Sequence, residues 1–412
     1  MILAAYEDEK IAPQVSYIFQ LFAQIYRVSL NITPYQELPV TNTRTEKVLL
    51  SYGRQKPLWS SSQVHIYSSN FWGNDYLTEQ SLPTTPLPRY HDLPVIYTGC
   101  HDRKEPFLYF NDNHIETNID FIASSFFLVT RYEEVVIKDK IILDEHERFP
   151  AKASLAYKEN FLHRPLVNEY FELLWNCLKK LGIYQKHKQP WKGKEFVACL
   201  THDVDAFKKY HFFSEAMTIG GMFLKQHQLK KAANRMIDYT KVLLGLKADP
   251  FNTFDYLLGI EKKYNAVSSF YFLPELDYSG GDYILTSKDL KNTLHKINDS
   301  GSEIGLHAGY YSFNNWKLMK KQKEKLEGIL NTKNLGCRQH FLRWKTPDTW
   351  LCQEKCGIIY DTTLCFADHE GFRAGLCHPF KPFDLLRNNV INLWEVPLTI
   401  ITLKQILILL LP

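Results

Sequence analysis

The 412-residue sequence predicts an α/β protein: an α+β domain over residues 1–190, then a parallel sheet covered by helices over 195–412. Three observations carry that expectation. From residue 195 onward, strand-like runs alternate with long helical patterns, as in βαβ units. Those runs end repeatedly in ionisable residues, where α/β folds carry their chemistry. Between the two halves lies a basic, polar stretch with a proline, residues 184–194, which places the boundary.

In the first half, short strand-like runs at 48–52, 64–67 and 95–97 sit among Pro and Asn/Asp clusters. Ile18, Phe19, Phe22 and Ile25 recur at helical spacing and predict a helix over 15–28. Residues 117–134 predict another, with Asn118 or Asp120 as its cap. A third runs over 165–181, opened by Pro165 and closed by Lys179 and Lys180. In the second half, strands are expected at 196–200, 266–273, 303–307, 336–338, 357–361 and 390–397. Helices are expected at 212–246, 254–264, 287–298, 316–330 and 347–356. The sheet they form is open or closed into a barrel.

Composition narrows the function classes. A net charge of +4 is too small for this length to argue for nucleic acid. No run approaches the ~20 apolar residues of a membrane helix, and the first residues lack the pattern of a secretory signal. Eight cysteines form no C-x-x-C pair, so free thiols in a reducing cytoplasm are expected. Aromatic residues make up 14% of the chain, which serves core packing and also allows platforms for sugar rings.

The chemistry gathers at the strand ends. Phe196-Val-Ala-Cys-Leu200 runs into Thr201, His202, Asp203 and Asp205. Desolvated carboxylates are costly without a partner, and a divalent cation is the natural one. Glu303-Ile-Gly-Leu-His307 ends in a histidine. Arg338 leads to His340, Asp361 closes the fifth run and Glu395 lies in the sixth. Recurrence at one rim is harder to dismiss than any single residue.

Thr201-His-Asp-Val-Asp205, Glu303-Ile-Gly-Leu-His307 and Arg338-Gln-His-Phe-Leu-Arg-Trp344 resemble motifs of the polysaccharide deacetylases, carbohydrate esterase family 4. Asp361-Thr-Thr-Leu-Cys-Phe-Ala-Asp368, Gly371-Phe-Arg-Ala-Gly375 and Pro379-Phe-Lys-Pro-Phe-Asp384 extend the likeness, which spans about 195–400. Residues 120–170 resemble the uncharacterised N-terminal domain of a bacterial branch of that family. The resemblance implies a distorted (β/α) barrel and metal-dependent removal of acetyl groups from a sugar substrate. It implies Asp203 as catalytic base, Asp205 and His307 as metal ligands, Arg338 as the arginine orienting the base, and Asp361 as a rim acid. Zn²⁺ is the expected metal, with Co²⁺, Ni²⁺, Mn²⁺ or Fe²⁺ as substitutes. Such a cation polarises the acyl carbonyl and acidifies water, while a carboxylate takes the proton.

Two departures from the family pattern stand out. The second metal histidine, four residues after the first, is Tyr311 here, and His202, His340 or a water is left to complete the site. The chain also ends at Pro412, after the apolar run 406–411. The family's strand bearing the general-acid histidine would follow, so a truncated barrel is expected. Two alternatives accompany the deacetylase: a catalytically impaired or non-catalytic carbohydrate-binding relative, and a metal-free glycosidase pairing Asp203 with Asp361 or Glu395.

Overall fold

The computed structural model describes residues 2–39, 48–59, 61–99, 107–183, 191, 194, 196–210, 212–224, 229–281, 283 and 285–400. The expected apolar end, 406–411, and most of the expected linker, 184–194, lie outside them. The fold is α/β, and the chain forms two compact units: Met1–Val197 with Phe341–Pro412, and Ala198–His340. Residues 341–400 thus group with the N-terminal half, whereas the sequence reading runs 195–412 as one domain.

The first unit is built on a six-stranded sheet. Its strand order is Leu30–Pro34, Ile2–Tyr6, Val48–Gly53, Ser62–Tyr67, His114–Thr117 and Leu108–Asn111. The first five run parallel and the last two form an antiparallel hairpin. Residues 1–110 therefore carry a parallel sheet rather than the irregular α+β layout expected from their sequence. The first strand, Ile2–Tyr6, is short and almost wholly buried. Without polar alternation, such a run gives no periodic signal.

The three helices expected in this half are present as Ala12–Tyr26, Phe121–Val129 and Leu166–Lys180. Pro13 opens the first, where its missing N–H costs nothing. Asp120 caps the second by accepting the Ala123 N–H at 2.8 Å. Every residue of that helix is buried. A buried ionic cluster ties residues 341–400 into the unit. Arg373 donates to both oxygens of Glu134, at 2.9 and 2.7 Å, and Arg131 donates to Glu133 and Glu134. Burial alone would raise the Glu134 pKa, but the two guanidinium groups outweigh it and hold it below the ordinary carboxylate value.

The second unit carries four parallel strands in chain order: Leu200–Val204, Ser268–Phe272, Glu303–Ala308 and Gly336–Gln339. Among the described residues this is not a closed barrel. Helices link the strands: Phe212–Leu224, Leu229–Leu243 and Phe254–Lys263 after the first, Lys288–Asp299 after the second, Trp316–Leu330 after the third. The core includes Phe254, Phe270, Phe272, Leu290, Leu294 and Ile297. Burying each such side chain contributes about 1.5–3 kcal/mol.

One expected strand is displaced. The apolar run predicts a strand over 196–200, but the ladder covers Leu200–Val204, and Phe196 and Val197 are exposed. Thr201, Asp203 and Asp205 alternate with His202 and Val204, which is the period-two pattern of a half-buried strand. This alternation marks the strand better than the apolar run before it. The register pairs Asp203 with Tyr271 and His307 with Arg338, which sets the site's spacing.

Candidate metal centre

Asp205 directly follows the Leu200–Val204 strand, His307 lies near the end of Glu303–Ala308, and His340 follows Gly336–Gln339. Three parallel strands of one sheet thus deliver one group each, and the three ligand atoms lie within 4.8 Å of one another. Asp205 Oδ1 stands 3.2 Å from His307 Nε2 and 3.7 Å from His340 Nε2. The imidazole rings are buried and meet edge to face, 5.0 Å apart. The loop Gly280-Gly281 fixes Asp205 from the other side. Gly281 N–H donates to the Asp205 carbonyl at 2.7 Å, and a Cβ on Gly280 would lie 2.7 Å from the same oxygen.

Each imidazole has its second nitrogen engaged. His307 Nδ1 is 2.9 Å from the Arg338 carbonyl, and His340 Nδ1 is 2.7 Å from Asp277 Oδ2. An acceptor on Nδ1 holds the proton there and leaves the Nε2 lone pair for the cluster, as the outer partners of metal-binding histidines do. Two imidazole nitrogens and one carboxylate oxygen suit Zn²⁺ and related divalent ions. The cluster therefore could hold a metal ion.

The local field is negative. Burial alone would lower the His307 pKa, but Asp203 and Asp205 outweigh it and raise it above the ordinary value. Asp205 moves the other way: its burial raises its pKa, and His307 and His340 more than reverse that. Asp277 is likewise lowered, against its burial, by His340 and by the backbone N–H groups of Tyr310 and Tyr278. Carboxylates that stay ionised among two imidazoles form a receptor for positive charge.

Beside the cluster, Asp203 shares the strand face of Thr201 and Asp205. Arg338 Nη1 donates to Asp203 Oδ1 at 3.1 Å and Arg338 Nη2 to Thr201 Oγ1 at 2.9 Å. The guanidinium lies 5.0 Å from the centre of the Tyr271 ring. Gly305 makes room for that ring, since a Cβ there would approach it to 2.6 Å. The glycine of Glu303-Ile-Gly-Leu-His307 thus helps to position the arginine that holds Asp203.

The remaining expected residues are not among the three clustered ligands. His202 points to the opposite strand face, 2.8 Å from Glu261 Oε1, with its ring stacked on Phe270. Tyr311 is 61% exposed. Asp361 belongs to the first unit, where it is wholly buried and paired in register with Glu395. Thr363 donates to Asp361 at 2.6 Å, and Trp350 donates to Glu395 at 2.7 Å. Burial pushes the Asp361 pKa up to about 6, and burial together with Asp361 raises that of Glu395. Arg148 donates to Asp144 at 2.7 Å.

Asp277 and Gly280-Gly281 carry no motif that marks them in the sequence. They fall in the loop after Ser268–Phe272, a strand that ends in apolar residues. The strand-end rule, carried a few residues further, reaches Asp277.

Residues 3–183 match a family of unknown function (DUF7033). A search of curated proteins finds no match to the chain. Among the described residues, no helix is long and apolar enough to cross a membrane.

Proposed function

We propose that this protein is a metal-dependent carbohydrate deacetylase, hydrolysing the amide or ester that joins an acetyl group to a sugar of a glycan or its precursor. The observation that carries the reading is the cluster of Asp205, His307 and His340 beside an arginine-held Asp203, all at one end of a parallel sheet. His340 supplies the third ligand that Tyr311 does not. This favours an active enzyme over a non-catalytic sugar-binding relative. The glycosidase alternative loses its second carboxylate, because Asp361 and Glu395 are buried against each other and Trp350. On this reading the second unit is part of the distorted (β/α) barrel of the polysaccharide deacetylases, and the reaction takes place in the cytoplasm.

A divalent cation held by Asp205, His307 and His340 supplies the positive charge that polarises an acyl carbonyl. The chain's own residues do the rest. Asp203 accepts the proton of the attacking water as a general base, a role typically contributing about 10²–10⁴-fold. Arg338 fixes the Asp203 carboxylate toward that water. Asp277 holds the His340 ring so that Nε2 faces Asp205 and the cluster. The test is acetate release from N-acetylated and O-acetylated sugars, with and without a chelator. Release that needs a divalent ion is expected. Chelator-resistant release, or none at any metal loading, would overturn the reading.

A further inference from the structure

The first unit holds a crevice unrelated to the metal centre. Its chain leaves the central strand Ile2–Tyr6, crosses to Leu30–Pro34 on one side, then returns to Val48–Gly53 on the other. A parallel sheet opens at such a reversal, at the carboxyl ends of its strands, and α/β proteins bind ligands there. A cavity of about 350 Å³ lies at that place. Glu7, Asp8, Tyr52, Arg54, Ser69 and Trp72 line it, all at or just beyond the ends of three neighbouring strands. Ligand pockets span roughly 300–1,000 Å³, and this one is at the small end, fit for a single sugar ring rather than a dinucleotide.

Its walls are held in place. Glu7 Oε2 accepts the backbone N–H groups of Arg54 and Gln55, at 2.5 and 3.1 Å. Only glycine fits at position 53, because a Cβ there would lie 2.6 Å from the Glu7 side chain. The Trp72 indole donates to the Tyr52 hydroxyl at 2.6 Å, and that hydroxyl donates to the buried Asp120 at 3.1 Å. Asp120 also accepts the Ser69 N–H at 2.7 Å. Arg54 donates to Asn70 at 3.0 Å.

The lining chooses among ligands. Phosphate-binding loops place glycines and free backbone N–H groups after the first strand. Here the turn reads Glu7-Asp8-Glu9, and its carboxylates repel an anion. All three charged groups are hydrogen-bonded in the fold, Glu7 to the Arg54 and Gln55 N–H groups, Asp8 to the Lys10 N–H at 2.9 Å and Arg54 to Asn70. Two carboxylates against one guanidinium leave a net negative charge that favours a cationic ligand. The carboxylates can bond ligand hydroxyls, while the half-buried Trp72 offers a ring surface suited to the apolar face of a sugar; Tyr52 and Ser69 are buried behind it.

We propose that this crevice binds a sugar bearing a free amino group. The proposal goes beyond the metal-centre reading and does not rest on it. The test is calorimetric titration of the 412-residue chain with glucosamine, glucose, N-acetylglucosamine and inorganic phosphate. Glucosamine is expected to bind at one saturable site, with glucose and N-acetylglucosamine weaker by about tenfold or more, the equivalent of one lost charge contact. Phosphate is expected to give no binding. Glu7→Gln keeps an oxygen for the Arg54 and Gln55 N–H groups, and should weaken glucosamine by about tenfold. Asp8→Asn, at an exposed position, should act in the same direction and serves if Glu7→Gln does not fold. His307→Ala should leave this binding intact. Failure of glucosamine to bind, equal binding of phosphate, indifference to both carboxylate variants, or loss of binding in His307→Ala would overturn the proposal.

Discussion

The protein contains two carboxylate clusters that behave in opposite ways. In the second unit, Asp205 and Asp277 face imidazoles and backbone N–H groups, and both are held below the ordinary aspartate value. In the first unit, Asp361 faces Glu395 and the neutral Thr363 donor, and both acids are pushed up. Burial acts the same way in both places and raises every one of these groups. What differs is the partner. An imidazole or an N–H group stabilises the ionised form, whereas a second acid makes one of the pair hold a proton. The first arrangement is a receptor for a cation. The second is a neutral or singly charged structural contact, completed by the Trp350 and Thr363 donors.

The largest expected effect separates proton transfer from metal holding. Asp203→Asn keeps an oxygen for Arg338 but cannot accept the proton. Acetate release should fall by about 10²–10⁴-fold while metal content stays unchanged. Arg338→Met should reduce turnover in the same assay through a misplaced Asp203. A loss of metal in Asp203→Asn would merge two roles that the geometry keeps apart.

The next effect concerns the other cluster. With its pKa raised from 3.8 to about 6, Asp361 contributes stability that is fully present below about 3.8 and lost as the pH rises through about 6. The folded state keeps a proton that the unfolded chain gives up. Asp361→Asn removes that loss. Relative to the natural chain, the variant should gain about 2 kcal/mol between pH 4 and pH 8, because a tenfold change in proton affinity is worth about 1.4 kcal/mol and part of the shift is already lost at pH 4, just above 3.8. Denaturant unfolding at the two pH values checks this, and an unchanged difference would show that the pair is ionised in the fold.

A smaller effect tests the outer partner of His340. Asp277→Asn should weaken metal binding by about 10–100-fold without removing a ligand, as changes to such partners typically do. Competition with a metal-binding dye would measure it, and undiminished affinity would remove Asp277 from the centre.

Much of this is legible in the sequence, for physical reasons that differ by element. The helix at Trp316–Leu330 is amphipathic, and its expected and observed bounds coincide. The motifs lead one to expect Asp203 beside Arg338 and Asp205 beside His307, and the fold shows both pairs. Sequence spacing does not settle the third ligand. His340 and Tyr311 sit on different loops, and only the strand register brings His340 to His307. His202 is an open candidate by spacing alone, and strand alternation turns it to the far face. The fully buried strands of the first unit lack polar alternation and are short, so their parallel pairing is illegible. Asp361 resembles a rim residue by motif, but pairing with Glu395 and burial give it a different environment.

The most direct measurement is elemental analysis of the purified chain beside its Asp205→Ala, His307→Ala and His340→Ala variants. About one divalent ion per natural chain is expected, as is loss of that stoichiometry in all three variants, each of which removes one of three ligands. A natural chain that takes up no divalent ion, or a His340→Ala variant that retains a full equivalent, would contradict the assignment of this cluster as the metal centre.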